Sequence, residues 1–405
     1  MRSATALWRF ENLSAAFLMH NDWQHGGFGI YVHWPFCQSK CPYCDFNSHV
    51  VASVDQNAWS SAYISELRRY HQETPDRIVN SIFFGGGTPS LMDPKLVETV
   101  IGTISDLWRM SNNVEITLEA NPGSVEAAKF NAFRSAGVNR VSLGLQALND
   151  QDLRLLGRLH TAQEGRTALS IAQSVFDRVS FDLIYARQNQ TPDDWTAELG
   201  QALAFGTDHV SLYQLTIEDG TAFGKRFSAG SLPGLPADDI AADMYEITTD
   251  LTSTAGLSAY EVSNHARPGA ESRHNLIYWK GGDYVGVGPG AHGRLTIGGV
   301  RFATETPLLP QTWLKSVAGG SGETIRDRLS RFEWAEEFLL MGLRLTEGIS
   351  LSRYGDLAGY PVSQHKINGL AESGFVIQTG DTLRATNKGR IVLNAVLREL
   401  LAGEG

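Results

Sequence analysis

The sequence predicts an α/β protein, a partial (βα)6 barrel of parallel strands followed by a smaller C-terminal helical domain with a winged-helix-like hairpin. Three observations predict it. Six short apolar or β-branched runs alternate with stretches of helical period. A polar or glycine-rich feature follows every run at the same end, where the loops of a parallel barrel meet in one mouth. With 405 residues, 42% of them hydrophobic, the chain can bury a barrel of roughly 200 to 250 residues and a second, smaller core.

Residues 1–27 read as an N-terminal extension, weakly patterned, with Arg2, Arg9 and the apolar run Ala15–Met19 broken by His20. That run is too short to span a membrane. The extension reads as a tail or as a start misplaced ahead of Met19, with an organellar transit segment as the other reading and no signal peptide. The barrel is expected over residues 28–300. Its six runs are Gly29–His33, Ser81–Phe84, Val114–Ala120, Arg140–Leu145, Val179–Ile184 and Val210–Leu215. Between the first two, Trp59, Tyr63, Leu67 and Tyr70 share one helix face; between the next two, Leu96, Val100, Ile104 and Leu107 do the same. Helices are expected from about Val125 to Ala136, Ala162 to Phe176 and Trp195 to Phe205, with Gly137 and Gly206 as stop signals.

The strand ends carry Cys37 onward, Gly85–Ser90, Glu119–Pro122, Gly144–Gln146, Asp182 and Tyr213–Gln214. All six are expected to converge on one pocket, although Gly, Asn and Pro are also ordinary turn residues. After a loop and a helix from about Asp239 to Ala255 come Tyr260–Asn264, His274–Trp279 and Tyr284–His292, too rich in aromatics, histidine and glycine for a plain linker. Residues 301–330 read as a connector. Residues 331–405 read as the C-terminal domain: helices near Glu333–Leu343 and His365–Ser373, a hairpin over Phe375–Ala385, and one last helix from about Lys388 to Leu400. A winged helix raises DNA binding, but these residues hold 8 Lys/Arg against 9 Asp/Glu, and the whole chain carries −10. Phosphate binding wants a basic face, so nucleic acid is not an expected partner.

The three cysteines of the chain, Cys37, Cys41 and Cys44, fall within eight positions. Three thiolates at one point make a soft anionic metal site, and free thiols persist in a reducing compartment such as the cytoplasm. CxxxCxxC spacing leaves one iron of a [4Fe-4S] cluster without a protein ligand, open to a substrate's nitrogen or oxygen. A closed zinc site with His33 or His49 as fourth ligand is the alternative.

Tyr31–Cys44 resembles the cluster loop of radical S-adenosylmethionine (SAM) enzymes, and Gly85-Gly-Gly-Thr-Pro89 resembles the glycine motif with which that superfamily holds the methionyl amino group of SAM. Glu119–Pro122, Gly137–Gln146, Ser211–Glu218 and Gly286–Ala291 extend the likeness over nearly the whole chain. They are similar to the group that contains oxygen-independent coproporphyrinogen III oxidase and a heme-chaperone branch. The resemblance implies SAM contacts at Tyr31, Tyr43, Gly86, Gly87, Thr88, Glu119, Gln146, Arg158 and Asp182, with Gln214 and His292 in addition, and the cluster on Cys37, Cys41 and Cys44. The oxidase pattern has a further cysteine two positions past the third, where this chain has Phe46. His274-Asn275-Leu-Ile-Tyr278-Trp279 matches the heme-associated HNxxYW motif of the chaperone branch. The resemblance therefore implies heme as a ligand and acceptor hemoproteins, membrane-bound respiratory enzymes among them, as partners. It admits a homodimer, and it keeps the oxidase or a related radical SAM enzyme as the alternative. Two departures stand out. His265 occupies a position commonly aromatic and adds a second candidate ligand, and Ala186–Gln190 replaces the usual glycine-proline loop after the fifth strand.

Overall fold

The computed structural model describes residues 21–51, 53–124 and 127–402. The reading of residues 1–20 as a tail or transit segment lies outside these. All six expected strands are present: β1 (Phe28–Trp34), β2 (Ile78–Gly86), β3 (Arg109–Ala120), β4 (Arg140–Gln146), β5 (Arg178–Tyr185) and β6 (His209–Gln214). They pair in parallel in chain order. Helices α1 (Gln56–Glu73), α2 (Pro94–Leu107), α3 (Ala127–Ser135), α4 (Ala162–Val175) and α5 (Pro192–Leu203) cross between successive strands. Side-chain caps from Asp55, Asp93, Thr161 and Thr191 fix where four of them start.

The sheet is larger than six strands. A seventh parallel strand, Asp283–Val287, pairs with the other edge of β1, so β1 lies inside the sheet with parallel neighbours on both sides. Its run Asp283-Tyr-Val-Gly-Val287 is short and glycine-bearing, which disguises it in the sequence. Residues 301–330, expected as a connector, instead extend this edge: His292–Ile297, Val300–Glu305 and Ile325–Arg328 pair antiparallel in succession. Helix Pro310–Ala318 packs back on α1, with Trp313 stacked on Trp59 at 5.3 Å between ring centroids. The outer strand Ile325–Arg328 is exposed throughout, so it lacks the buried face that a periodicity reading relies on. At the far end, Ser258–Ala259 and Asn264–Ala266 add antiparallel pairs beyond β6. The twelve-stranded sheet is mixed and does not close into a barrel.

One apolar core runs from Phe28 to Val317, and a separate one from Trp334 to Leu400 belongs to the C-terminal domain. Arg353 of that domain forms a bidentate ion pair with Asp22, at 2.8 Å from each carboxylate oxygen, tying it to the start of the described chain. The last helix, expected as one piece, is two: Asn387–Ile391 and Leu393–Leu401. Val392 between them leaves helical geometry at φ −114° and ψ 30°, so Ile391 and Val392 stay exposed at the junction.

The segment carrying His274 is itself a helix, Arg273–Trp279. Glu115 of β3 accepts from the Arg273 backbone N–H at 2.9 Å at its first turn. The helix packs against β1, β2 and Asp283–Val287 at the end of the strands away from the cysteine loop. His274 is buried there, with Nδ1 2.7 Å from Ser81 Oγ and Nε2 2.6 Å from Tyr278 OH, and Phe83 stacks on its ring at 4.9 Å. Gly29 makes room for it, since a Cβ there would lie 3.2 Å from His274 Nδ1 and 2.9 Å from Ile277 Cδ1. Burial holds the imidazole neutral, its pKa lowered to about 3.

His274→Ala would remove both hydrogen bonds and open a cavity under β1, with an expected loss of about 3 kcal/mol of folding stability. Ser81→Ala, which removes one partner, should cost about 1 kcal/mol. Urea midpoints of the two variants, compared at unchanged m-value, check both.

Candidate functional site

The cysteine loop is built outward from β1 and anchored at both ends. On its first side, Phe36 packs its ring against Trp34 at 5.1 Å and Trp59 at 5.2 Å, and Tyr63 OH donates to His33 O at 2.7 Å. Each such aromatic pair adds about 0.5–1.5 kcal/mol beyond its buried area. The glycine loop that follows β2 then docks on this segment through its backbone: Gly87 N–H donates to Trp34 O at 2.7 Å and Thr88 N–H to Phe36 O at 2.9 Å. Glycine is required at that contact, because a Cβ on Gly87 would lie 2.7 Å from Phe36 O and 3.0 Å from Cys37 Sγ. Gly86 is likewise fixed, at φ +109° and with the His33 ring 2.6 Å from where a Cβ would stand. On the second side, Asn47 donates its amide to Pro289 O at 2.9 Å and Leu308 O at 2.8 Å, binding the loop to the far strands.

The sulfur atoms are free thiols with polar neighbours. Thr88 Oγ1 donates to Cys37 Sγ at 3.4 Å and Arg158 Nη1 to Cys41 Sγ at 3.5 Å. Burial pushes the Cys37 and Cys44 thiols up, so a metal is what would keep them as thiolates. The two histidines of the zinc alternative are engaged elsewhere. His33 is bonded to Tyr31 OH at 3.0 Å and Asn47 O at 2.9 Å, and His49 Nε2 lies 3.2 Å from Asn47 Oδ1. Among the described residues no three His, Cys, Asp or Glu side chains gather around one point as a single ion requires. Three cysteines on one loop, with hydrogen bonds aimed at sulfur, fit a cluster, which spreads its ligands over several irons.

Most of the expected site residues come together. Cys37, Cys41 and Cys44 line one cavity with Tyr43, Gly86, Gly87, Thr88, Glu119, Gln146, Arg158 and Asp182. Tyr31 and His292 line an adjoining cavity that shares Gly86 and Glu119 with the first. Gln214 lines a third, outer cavity of about 760 Å³, which shares Glu119, Gln146 and Asp182 and lies between the barrel mouth and the C-terminal domain. Of the HNxxYW residues, Tyr278 reaches the cavity of Tyr31. His274, Asn275, Trp279 and His265 line none of the three. His265 is buried on Asn264–Ala266, with neither ring nitrogen bonded among the described residues.

The carboxylates give the inner cavity its electrostatics. Glu119 accepts from the Gly86 N–H at 3.2 Å, and burial together with the neighbouring Asp182 pushes its pKa up to about 8. Asp182, raised by burial to about 6, accepts from Ser142 Oγ at 3.3 Å. Ser142 accepts in turn from Ser180, and Ser180 from the buried Arg140, so a polar chain lines the strand interiors below the cavity. Gln146 holds a left-handed backbone at φ 69°, a strain that sites tolerate when it aims a side chain. Arg158 donates to Gly144 O at 2.9 Å. The departing segment Ala186–Gln190 stays off this cavity: Arg187 ties it down through Asp152 at 2.6 Å and Glu198 at 2.5 Å.

Sequence reasoning missed Ser142, Asn47 and the basic residues of the outer cavity. Ser142 had a readable signal, since Arg140 and Ser142 alternate as polar residues along an otherwise apolar strand. Asn47 and Arg390 had none, because the partners of Asn47 and the other walls of the cavity that Arg390 lines lie far away in the sequence.

The comparisons agree with this geometry. Residues 31–199 match the radical SAM superfamily and residues 329–392 the HemN C-terminal domain. Radical S-adenosyl methionine domain-containing protein 1, mitochondrial, of Bos taurus is 40% identical over 388 residues, 92% of this chain and 87% of that protein. Heme chaperone HemW of Haemophilus influenzae is 35% identical over 93% of this chain and 98% of its own length. Heme chaperone HemW of Escherichia coli is 34% identical over 92% and 98%. The solved structure of the radical SAM enzyme coproporphyrinogen III oxidase (HemN) from Escherichia coli superposes with a TM-score of 0.76 over 94% of this chain and 92% of that one; at 20% identity the likeness is one of fold. Cysteine loop, glycine loop, carboxylates and full-length relatives converge on one assignment, and the chain belongs to the radical SAM superfamily and, within it, to the HemW family.

Proposed function

We propose that this chain is a heme chaperone, which binds heme beside a [4Fe-4S] cluster and SAM and passes the heme to acceptor hemoproteins, respiratory enzymes among them. The observation that carries the reading is the outer cavity. It opens off the cysteine loop through Tyr43, Cys44 and Phe46, sets apolar side chains such as Ile184, Leu215, Val262 and Leu393 among charged ones, and is far roomier than the inner cavity of about 140 Å³. Full-length relatives named heme chaperone support it. The three free cysteines fit a reducing compartment such as the cytoplasm. Among the described residues no helix is long and apolar enough to cross a membrane, so delivery to a membrane-bound acceptor would be by contact.

In this reading Cys37, Cys41 and Cys44 hold the cluster, while the glycine loop, Glu119, Gln146, Arg158 and Asp182 hold SAM. A cluster with an open iron supplies SAM with a binding point and an electron. The chain's own part is to orient and to neutralise. Arg158 offers the inner cavity a cation suited to a carboxylate, and Glu119 accepts from an ammonium group once it has lost its proton. Tyr278 brings the HNxxYW helix to the cavity edge, and His274 serves by holding the Tyr278 hydroxyl from behind, since a bond from His274 to iron would require giving up that 2.6 Å contact.

Anaerobic incubation of the reconstituted chain with SAM, reductant and coproporphyrinogen III, with hemin in a parallel arm, tests the proposal. Hemin binding without protoporphyrinogen formation is expected; protoporphyrinogen formation would place the chain with the oxidase instead. A second prediction concerns pH. Glu119 has a raised pKa near 8, so below that pH an ammonium ligand must displace its proton, and affinity is lost as pH falls. SAM affinity of the cluster-loaded protein should rise by about tenfold per unit from pH 6 to 7.5. Glu119→Gln should flatten that rise, as read by equilibrium binding at each pH.

A further inference from the structure

The outer cavity has walls of opposite charge. Asp45, Asp182 and Glu218 lie on the barrel side, and Arg344, Arg390 and Arg398 on the C-terminal domain. Arg344 already has a counter-ion, Glu261, at 3.0 Å. Arg390 does not. It is only 9% exposed, its Nη2 donates to the neutral amide oxygen of Asn387, and its Nε and Nη1 have no partner among the described residues. A guanidinium taken out of water without an anion is costly, and unused donors at the wall of a cavity call for a partner from outside the chain. Burial makes the imbalance worse for its neighbours too: Arg390 helps hold His265 neutral, with a pKa near 4.

The break at Val392 explains why this residue is placed so. With the terminal helix divided, Arg390 closes the first piece while Ile391 and Val392, 37% and 38% exposed, form an apolar sill beside it. Phe46, 59% exposed, faces the same cavity from the cysteine loop. An apolar body fits between these groups. Its anionic end can point only toward the arginines, because the carboxylates on the barrel side repel it. We infer that Arg390, seconded by Arg398, anchors the propionate carboxylates of a porphyrin ligand and so sets its direction, macrocycle edge toward the cysteine loop and propionates toward the C-terminal domain. This rests on the heme reading above and adds to it which way round the ligand lies.

The test uses the full chain with its cluster loaded, titrated spectrally with hemin and with hemin dimethyl ester, whose propionates are blocked. The wild-type chain should bind hemin about tenfold more tightly than the diester, the gain expected of a charge-assisted carboxylate contact. Arg390→Gln should abolish that preference by weakening hemin alone, and Arg398→Gln should reduce it in part. Arg398 is an exposed helix residue whose Nε, among the described residues, donates only to Asn394 O of its own helix at 3.3 Å, so its variant stands as the test if Arg390→Gln fails to fold. Equal affinities for hemin and diester in the wild type, or equal losses for both in the variants, would overturn the anchor while leaving heme binding intact. A wild-type chain that binds neither would overturn the heme reading and the anchor together.

Discussion

The contact on which the site depends is the backbone docking of the glycine loop on the segment ahead of Cys37. Two hydrogen bonds, Gly87 N–H to Trp34 O and Thr88 N–H to Phe36 O, fix the cysteine loop against the end of β2. They form only because position 87 has no side chain, as a Cβ would strike both the Phe36 carbonyl and the Cys37 sulfur. The same docking brings the Thr88 hydroxyl to Cys37 Sγ. The aromatic packing of Trp34, Phe36, Trp59 and Trp313 makes that segment stiff enough to be docked upon.

Behind this contact the strand interior divides into two chemistries. Near the mouth it is polar, with Ser142 and Arg140 buried, Glu119 and Asp182 half-buried at the cavity wall, and the two carboxyls shifted upward by lost hydration. At the other end it is filled by the helix Arg273–Trp279, whose His274 is spent on Ser81 and Tyr278. In this motif the histidine is thus buried and hydrogen-bonded at both ring nitrogens, while the tyrosine meets a cavity.

The C-terminal domain completes the outer cavity without sharing the barrel's core. Its contribution is charge: arginines opposite carboxylates across an apolar gap. Such a gap favours a ligand that is itself apolar in the middle and anionic at one end.

Much of this was legible in the chain. The six strands could be read because each is a short apolar run bounded by turn residues, and the pocket because every run ends in a polar or glycine feature on the same side. The cysteine triad could be read from spacing as a candidate metal site, since thiolates act as a group only when they are close. The outer strand Ile325–Arg328 was not legible, because an exposed edge strand carries little periodicity, nor was the break at Val392, although Gly389, Ile391 and Val392 there are weak helix formers. What the sequence determined by itself was local and periodic: element type, the cysteine triad and the glycine loop. Only the tertiary structure decided that His274 is buried between Ser81 and Tyr278, that Glu119 and Asp182 line one cavity, and that Arg390 has no counter-ion among the described residues. Each of those depends on which distant groups burial brings within a few ångströms, and neither composition nor periodicity encodes it.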